Sequence, residues 1–464
     1  MHISIAMKYP VLFFIFFVSV AVQAQNVFQV EFKNSTLAST DSLLPFWFAT
    51  NRHGTVESSQ SILNVTGISL EQFYRRKTNA PVSYTWGAEV IAGWGESSYY
   101  QINRAFAGVA VRGWELQAGM FYDPEKFRGL SVTNGNLARS QHARPYPMIR
   151  LSTKQFKPVP FIQNVLGFKA EYDEGLLNDD RFVKNARLHH KALYLRFSPA
   201  SDWKITGGFE HFVFWGGISS NERIGKMPSD FKAYIRYILG SEGSEDFPQT
   251  DQANKAGNQL GTYQLEVQKF FSKAEVTFFL SHPFEDLSGV NWRNWPDNLA
   301  GLYVNFTEDP LLVTGLLYEY TSTWQQSIRG DWDRQEPDNY FNHSIYRSGF
   351  TYHGRMLGSP LFLPDISEEG VVTRIASNRF FAHHLGISGK WKSLWKWKGL
   401  LTYSEQAGTV GKPFDRNTKQ ISGLVEVQYI QAGFPVEIGF SLAADAGSNN
   451  YRNVGAMLSV TKNW

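Results

Sequence analysis

The feature that most constrains the fold of this chain is an alternation of apolar and polar side chains that recurs along most of its length. The alternation is clearest in five segments: Tyr84 to Trp94, Trp114 to Met120, Tyr263 to Val267, Ala274 to Leu280 and Val436 to Ala444. Successive side chains of a β-strand point to opposite faces of the sheet, so a period of two predicts strands. The second face of these segments carries mainly polar residues or glycine. We therefore predict an all-β chain.

The number of such strands favours a closed barrel over a sandwich. An open sheet of this size would expose unpaired edges, which closure removes. Aromatic residues form 15% of the 464 residues. Membrane barrels carry aromatic girdles at both interfaces, although a large secreted sandwich can have a similar composition. We predict a single transmembrane outer-membrane antiparallel β-barrel of about 18 strands with short helical plug or loop elements.

Both ends of the chain favour export to the outer membrane. Lys8 precedes the apolar run from Pro10 to Val22, and Ala24 ends a Val-Gln-Ala triplet that a signal peptidase can cleave. We predict that residues 1–24 are a signal peptide, because the run is shorter than the roughly 20 residues of a membrane anchor. At the other end an alternating strand closes on Trp464, which resembles the assembly signal of outer-membrane barrels. The expected partners are outer-membrane lipid, lipopolysaccharide and the barrel assembly machinery.

The composition and the absence of motifs exclude several kinds of chemistry. The chain contains 0 Cys, which removes disulfides, thiol catalysis and cysteine metal sites. Its net charge of +3 gives no reason to expect nucleic acid. The sequence has no G-x-S-x-G elbow, Walker loop or H-E-x-x-H motif. We predict no catalytic residues, no cofactor and no enzymatic activity.

Two histidine pairs are the clearest metal candidates, and their position argues against that role. His189-His190 and His383-His384 both lie in strand-like runs. Neighbouring strand residues point to opposite faces, so neither pair can chelate one ion. We predict that one ring of each pair faces the lumen and the other faces the lipid interface, and that the chain has no metal site.

Long and short connections alternate, which divides and orients the chain. Short connections such as Arg112-Gly113 and His353-Gly354 are predicted periplasmic turns, and long polar ones are predicted external loops. Residues 25–60 are predicted to form an N-terminal segment with a short helix capped at Asp41-Ser42, and residues 61–464 the barrel. The longest loop, residues 218–260, contains a predicted helix from Ser229 to Gly240 that can fold into the barrel mouth.

Loop aromatics and neighbouring arginines form the candidate saccharide site. Aromatic faces stack on sugar rings, while arginine binds hydroxyl and acidic groups. Each aromatic residue alone is more typical of the external girdle, whereas the set together favours saccharide binding. The residues are Trp292, Arg293, Trp295, Trp332, Arg334 and Tyr340.

A basic cluster lies in the predicted external loop between residues 123 and 146. It contains Arg128, Arg139, His142 and Arg144, and Arg150 follows just beyond the loop. Three arrangements are open for this cluster. It can form a constriction inside the lumen, an external contact for a polyanion, or a charge network that braces the loop against the barrel wall.

This loop and several ordered segments resemble the capsule-assembly Wzi family. The segment GLSVTNGNLARSQHARPYPMIRL keeps Ser140, Ala143, Pro145 and Pro147 of the family pattern S-x-N-A-x-P-x-P, with His142 in place of the usual Asn. Further segments agree in order, among them LPFWFATNRHG, NARLHHKALYLRF, GFEHFVFWGG and NRFFAHHLGI. The resemblance implies an outer-membrane barrel with a helical plug, acting as a non-enzymatic lectin that ties capsular polysaccharide to the cell surface.

The predicted function is therefore binding of capsular or other surface polysaccharide and help in its assembly or attachment. A porin or saccharide channel is the first alternative, and an open lumen would favour it. An outer-membrane hydrolase or deacylase is the second alternative, and an outward-facing Ser-His-acid or paired-carboxylate site would favour it.

Overall fold

The computed structural model describes residues 26–74, 82–162, 165–253, 255–285, 287–308, 312–328, 337–392, 394–431 and 433–464. The signal peptide predicted for residues 1–24 lies outside these described residues. Trp332 and Arg334 of the predicted saccharide site also lie outside them.

A closed sheet of 18 antiparallel strands forms the wall of a barrel. The strands are β1 (Asn26–Ser39), β2 (Ile62–Tyr74), β3 (Val82–Gly95), β4 (Tyr99–Val111), β5 (Trp114–Met120), β6 (Met148–Thr153), β7 (Leu166–Leu177), β8 (Ala186–Ala200), β9 (Trp203–Trp215), β10 (Asn258–Phe270), β11 (Ala274–Phe284), β12 (Asn298–Phe306), β13 (Val313–Ser322), β14 (Phe380–Trp391), β15 (Trp395–Gly408), β16 (Pro413–Tyr429), β17 (Glu437–Gly447) and β18 (Arg452–Asn463). Lys157–Pro158 also pairs with β7 and continues β6 after a break. Each strand pairs with the next, and β1 closes the barrel on β18, with Leu37 opposite Met457. The predicted fold class and strand number are confirmed.

The barrel begins at β1, so the predicted boundary at residue 61 is wrong. β1 pairs with β2 on one side and with β18 on the other, which makes it part of the wall. Polar residues in this strand interrupt the apolar alternation that identifies the other strands. Asn34 Nδ2, for example, donates hydrogen bonds to Asn64 Oδ1 (3.0 Å) and Thr66 Oγ1 (2.7 Å) of β2.

The two faces of the wall are inverted relative to a soluble protein. On β17, Ile438, Phe440 and Leu442 point outward and are exposed, while Ser441 points into the lumen and is buried. Large apolar side chains that face outward suit a hydrocarbon environment, as in membrane barrels. The alternation in the sequence therefore separates a lipid-facing surface from a filled lumen.

The longest connections lie at one end of the barrel. They are residues 40–61, 121–147, 216–257, 285–297 and 323–379. Short turns such as Arg112-Gly113 lie at the opposite end. Long loops are external in outer-membrane barrels, so we name this end the external end.

Helices are few and short. They are α1 (Phe46–Ala49), α2 (Phe231–Leu239), α3 (Gln249–Ala253) and α4 (Leu287–Val290), with 3-10 turns at Phe127–Gly129 and Ser448–Asn450. Among the described residues, no helix has the length and apolarity needed to cross a bilayer. Small two-stranded ladders join Val183–Lys184 to Ile218–Ser219, Thr351–Tyr352 to Arg355–Met356, and Leu363–Ile366 to Val372–Ser377.

Both predicted helices form, but their caps differ from the prediction. α2 is capped by Asp230 rather than Ser229, because the Asp230 carboxylate accepts hydrogen bonds from the backbone N–H groups of Lys232 (2.8 Å) and Ala233 (3.0 Å). Gly240 ends this helix in the left-handed region, as predicted. α1 covers only Phe46–Ala49 and follows Pro45, with no side-chain cap from Asp41-Ser42.

Three external loops fold back into the lumen and fill it. We call residues 40–61, 121–147, 323–328 and 337–379 the plug. The three loops hydrogen-bond one another: the side-chain amide Asn51 Nδ2 donates to Val132 O (2.9 Å), and the backbone Ser140 N donates to Leu357 O (3.0 Å). The plug also contains a hydrophobic cluster, in which the Phe350 ring lies 5.4 Å from that of Phe212 on β9. The described lumen is therefore packed rather than open.

The plug is anchored to the wall at several points. The buried carboxylate of Glu319 on β13 accepts hydrogen bonds from Val132 N (2.9 Å) and Thr133 Oγ1 (3.0 Å). On the neighbouring strand β14, His384 Nε2 lies 2.6 Å from Leu130 O. Buried polar groups of this kind are costly to leave unpaired, so the contacts hold the second plug loop across the lumen.

The predicted periplasmic turn at His353-Gly354 is wrong. It joins Thr351–Tyr352 to Arg355–Met356, a two-residue hairpin inside the loop of residues 323–379. The apolar residues around it are buried in the plug, including Phe350, Tyr352 and Met356. Their pattern arises from packing within the lumen, and it resembles that of wall strands in the sequence.

The helix α2 lies on the outward face of the wall, so its predicted position in the barrel mouth is wrong. The hydroxyl of Tyr234 hydrogen-bonds Glu174 and Tyr172 of β7. These side chains alternate with Glu171 and Asp173, which bind arginines inside the lumen. Side chains of successive strand residues face opposite sides, so α2 contacts the outside of the barrel.

Candidate functional site

The predicted basic loop folds into the lumen as a charge network. Arg139 binds Asp123 through Nε (2.6 Å) and Glu171 of β7 through Nη1 (2.7 Å). Arg150 of β6 binds both carboxylate oxygens of Asp173 (2.9 Å each) and reaches Asp123 Oδ1 at 2.8 Å. Of the three predicted arrangements, this geometry favours a network that braces the loop against the wall.

The charge states in this network follow from its neighbours. Burial alone would raise the pKa of Asp123, but the guanidinium groups of Arg139 and Arg150 hold it well below its ordinary value. His142 lies beside the network, and burial together with the nearby Arg355 lowers its pKa well below the usual range. Asp123 is therefore ionised and His142 is neutral at pH 7.

The other predicted basic residues lie apart from this network. Arg144 donates from Nη2 to Ile102 O (2.9 Å) at the edge of the wall. Arg128 lies in the 3-10 turn and reaches Thr314 O at 3.5 Å. Arg128 and Arg144 therefore contact different parts of the wall and do not form one ligand site with Arg139.

The histidine pairs lie as predicted, with their two rings on opposite faces. His190 Nδ1 lies 2.9 Å from Asp173 Oδ2 in the lumen, whereas His189 Nδ1 lies 2.6 Å from Glu174 Oε1 on the outward face. Ligand atoms of Glu171, Asp173 and His190 lie within 4.8 Å of one another, a spacing that can hold a metal ion. The salt bridges with Arg139 and Arg150 already balance both carboxylates.

The predicted saccharide residues do not form one cluster among the described residues. Trp292 and Trp295 contact each other, with ring centroids 5.9 Å apart, and Trp292 stacks on His282 at 4.0 Å. His282 alternates on β11 with Ser281, which binds the plug, so this stack lies on the outward face. That position favours the aromatic girdle, and sugar binding by the two tryptophans stays a prediction.

Tyr340 and Arg293 are the other described members of the predicted saccharide set. Tyr340 is fully buried, and its hydroxyl donates to Asp297 Oδ2 (3.0 Å) and accepts from Asn294 Nδ2 (2.8 Å). Burial raises the pKa of this Asp297 to about 6. Arg293 is exposed in the same loop as Trp292. Tyr340 thus joins two external loops and does not face solvent.

A wide cleft opens between the external loops; we call it the loop cleft. It encloses about 1130 Å³ of solvent space and is lined by residues from segments 250–259, 337–347, 373–375 and 409–412, with Glu285. Its amides and hydroxyls include Asn339, Asn342, Thr250 and Thr373. Groups of this kind are the usual hydrogen-bonding partners of sugar hydroxyls.

The loop cleft carries more accessible positive than negative charge. Its cations are Lys255, Arg347, Arg374 and Lys412. Arg347 lies over the Phe182 ring at 4.3 Å, and Arg374 binds Asp365 at 3.1 Å. Burial lowers the pKa of the neighbouring His343 to about 4, so that ring is neutral at pH 7.

The carboxylates that line the loop cleft are engaged in holding the loops. Asp251 Oδ2 accepts a hydrogen bond from Gly257 N (2.8 Å). Asp338 Oδ2 accepts one from Ser327 Oγ (2.7 Å), and Glu285 accepts one from Phe341 N. Burial raises the pKa of Asp251 to about 6. These groups stabilise the cleft walls through the contacts that they make.

A second, smaller recess lies above the plug; we call it the mouth pocket. It has about 340 Å³ of solvent space and is lined by plug residues Glu57, Arg144, His353 and Arg355 together with residues 178–180. Arg355 Nη1 donates to Ala49 O (3.2 Å), so two plug loops contact each other at the floor of the pocket. Carboxylates outnumber arginines around this pocket, whereas cations outnumber carboxylates around the loop cleft.

The sequence of residues 25–383 matches the family of the capsule assembly protein Wzi. The chain belongs to this family. No curated protein sequence matches the chain. The predicted family resemblance is confirmed.

The chain is similar to several solved structures. The outer membrane protein Wzi of Escherichia coli, involved in group 1 capsule assembly and described as a carbohydrate-binding β-barrel, has 15% sequence identity and a TM-score of 0.59, with 93% of this chain and 83% of that chain covered. OprD from Pseudomonas aeruginosa has 8% identity and a TM-score of 0.49, with 95% and 96% covered. OccK3 of the same organism has 10% identity and a TM-score of 0.49, with 95% and 96% covered.

Sequence reasoning missed the residues that line the loop cleft. Lys255, Arg347, Arg374 and Lys412 come from separate external segments and share no motif. The only signal in the sequence is that each lies in a polar stretch between strands. Their proximity depends on how the loops pack over the barrel, which a pattern of period two does not specify.

Proposed function

We propose that this member of the Wzi family resides in the outer membrane and binds capsular or other surface polysaccharide at the loop cleft, helping its assembly or attachment to the cell surface. The observation that carries the proposal is the combination of a lumen filled by the plug with a wide polar cleft at the external end. A closed barrel with its recess outside suits retention of a polymer better than its passage.

The lining of the loop cleft is suited to a hydroxylated, acidic polymer. Asn339 and Asn342 offer amide groups to sugar hydroxyls, while Lys255, Arg347 and Lys412 offer cations to carboxylates. Each of these contacts with a solvated polymer is weak. Strong retention then comes from many repeat units that engage many protein copies at once.

The proposal includes no catalytic step. The cleft carboxylates Asp251, Glu285 and Asp338 accept hydrogen bonds that hold the loops. A hydrolase would need paired carboxylates or an activated hydroxyl aimed at the bound sugar. The arrangement therefore supports a binding protein. The filled lumen likewise argues against a porin.

The function is tested by replacing three cleft cations in cells that make their own surface polysaccharide. The cleft variant carries Arg347→Ala, Arg374→Ala and Lys412→Ala. We expect polysaccharide to move from the cell surface into the medium while its total amount stays unchanged, because binding is lost and synthesis is not. The measurement is the ratio of released to cell-bound polysaccharide.

A matched control removes three cations from the opposite end of the barrel, with Arg112→Ala, Lys273→Ala and Lys392→Ala. This control should retain polysaccharide as the wild type does. Heat-modifiable migration on gels verifies that both variants form barrels. Equal retention by wild type, cleft variant and control would reject the loop cleft as the binding site.

A further inference from the structure

The helix α2 packs on the outside of the barrel near its external end. Its residue Tyr237 is fully buried and lies 5.9 Å from Trp215 of β9, measured between ring centroids. Lys191 of β8 donates a hydrogen bond to the carbonyl of Ile238. Val213, Phe247 and Ala256 complete a small hydrophobic cluster with these residues, separate from the core inside the lumen. One side of α2 is thus fixed to the outward wall.

The opposite side of α2 is apolar and turned away from the protein. Phe231 is 78% exposed and Leu239 is 68% exposed. At 100° per residue, Ile235 and Ile238 share this face, whereas the buried Ala233 and Tyr237 lie on the other. Soluble proteins normally turn such an apolar face toward their core. In α2 only a narrow strip with Lys232 and Arg236 is polar, and both the side that contacts the wall and the side turned away from it are apolar.

The surroundings of α2 identify what covers its outer face. Along β8, the outward side chains Arg187, His189 and Lys191 beside the helix give way to Leu193, Leu195 and Phe197 toward the periplasmic end. The three lower side chains are exposed and belong to the lipid-facing wall. This change from polar to apolar residues places α2 at the level of the membrane interface, continuous with the surface that contacts hydrocarbon.

Cations flank the exposed apolar face. Arg187 lies over the Trp215 ring at 4.5 Å, and Lys232 is exposed on the first turn of α2. Arg236, one turn later, donates to Glu242 O at 2.9 Å. Of the nearby carboxylates, Asp230 caps α2 and Glu174 contacts His189 and Tyr234, while Glu242 and Glu245 are exposed beyond the C-terminal end of the helix. The flank therefore offers positive charge to an anionic headgroup.

We propose that α2 is an interfacial helix that docks on the phosphorylated glycolipid of the outer leaflet. In this arrangement Phe231, Ile235 and Leu239 enter the acyl layer, and Arg187, Lys232 and Arg236 face the phosphate groups. The same loop supplies Thr250, Asp251 and Lys255 to the loop cleft. Docking would thus fix one wall of the polysaccharide site to the membrane surface. The inference goes beyond the proposed function and does not depend on it.

The chain contains 0 Cys, so single cysteines can report the depth of individual positions. The probes are Phe231→Cys and Leu239→Cys, each carrying a nitroxide, in the full-length barrel reconstituted into vesicles of phosphatidylcholine and lipopolysaccharide. Leu195→Cys on the lipid-facing wall is the reference for a label inside the membrane. Glu222→Cys, in an exposed part of the loop that contains α2, is the reference for a label in water. All four positions are exposed on the protein, so the substitutions leave its packing intact.

We expect oxygen, which concentrates in lipid, to collide with the labels at positions 231 and 239 as often as with the label at 195. A water-soluble nickel complex should collide mainly with the label at 222. Labels at 231 and 239 that behave like the one at 222 would overturn the proposal. Spin–spin broadening at position 231 that disappears on dilution with unlabelled protein would also overturn it, because a second copy would then cover the face.

The headgroup contact is tested with lipopolysaccharide that has been dephosphorylated. Removing the phosphates should shift the label at position 231 toward the aqueous phase in the protein with wild-type cations. The variant Arg187→Gln, Lys232→Gln and Arg236→Gln should show no difference between the two lipids. A label that is insensitive to phosphate in both proteins would reject a phosphorylated headgroup as the ligand.

Discussion

At the scale of single residues, the plug depends on a few buried side chains that have partners on both the wall and the loops. Glu319 of β13 accepts three hydrogen bonds from residues 131–133, and Arg139 joins Asp123 to Glu171. Buried charges are tolerated only when they are paired and hydrogen-bonded. The basic loop that dominates the sequence pattern is therefore a structural element of the closed lumen.

The two tryptophans of the predicted saccharide site provide a test at this scale. Trp292 and Trp295 lie on the outward face with His282 and Tyr263, so we expect the double variant Trp292→Ala, Trp295→Ala to lose part of the aromatic girdle. Loss of two half-exposed rings that stack on His282 and Tyr263 should lower the free energy of unfolding of the barrel by about 1–3 kcal/mol. Polysaccharide binding should remain within about twofold of the wild type.

The measurement combines thermal unfolding, followed by heat-modifiable migration, with polysaccharide binding by the same purified preparation. The control is Phe197→Ala, which removes one aromatic side chain from the lipid-facing wall near the periplasmic end. It reports the effect of losing an interfacial aromatic residue far from the external loops. If the double variant keeps its stability and releases the polymer, the tryptophans bind sugar as the sequence predicts.

At the scale of elements, the wall was predictable from sequence, whereas for the plug the sequence offered only the basic loop, as one of three arrangements. Wall strands follow a local rule, because each must present apolar side chains to lipid and polar or small ones to the lumen. The hairpin at Thr351–Tyr352 obeys the same alternation for a different reason, since it packs inside the lumen. Strand β1 alternates only as far as Lys33, and its full length is identified by its pairing with β2 and β18.

The position of α2 shows the same limit. Its length, its apolar spacing and its end at Gly240 were visible in the sequence, whereas its cap was predicted at Ser229 and lies at Asp230. Which side of the wall it packs against depends on Glu174, Tyr172 and Trp215, which lie on other strands. Likewise the loop cleft assembles residues from four separate segments. Long-range packing of this kind leaves no periodic signal along the chain.

Deletion of the second plug loop and deletion of α2 should have different effects on ion conductance. Deleting residues 126–143 removes the plug loop that spans the lumen, so single-channel conductance in planar bilayers should rise well above that of the nearly closed wild type. Deleting α2, residues 231–239, should leave conductance unchanged because that helix lies outside. Glu319→Ala should give brief openings, since it leaves the backbone N–H of Val132 and two hydroxyls unpaired.

The control for this experiment is Glu308→Ala, which breaks an exposed salt bridge with Lys273 at the periplasmic end. It should conduct as the wild type does, because exposed pairs contribute little to stability. A wild-type barrel that conducts freely would contradict the closed plug. A large increase on deletion of α2 would contradict its outward position.

At the scale of the whole molecule, the barrel combines three surfaces. The outward wall faces lipid, the plug fills the lumen, and the external end carries the loop cleft. Membership of the Wzi family and the fold shared with the Escherichia coli protein agree with this organisation. The surface proposed to bind polysaccharide thus lies in the loops, where the sequence pattern carries least information.

The most direct test of this account is the binding of purified barrel to the surface polysaccharide of its own cells, measured at low and at high salt. We expect the wild type to bind, and the variant Arg347→Ala, Arg374→Ala, Lys412→Ala to bind at least about tenfold more weakly at low salt, with a smaller loss of binding as salt is raised. The control variant Arg112→Ala, Lys273→Ala, Lys392→Ala should match the wild type. Equal binding by wild type and cleft variant at both salt concentrations would contradict the account.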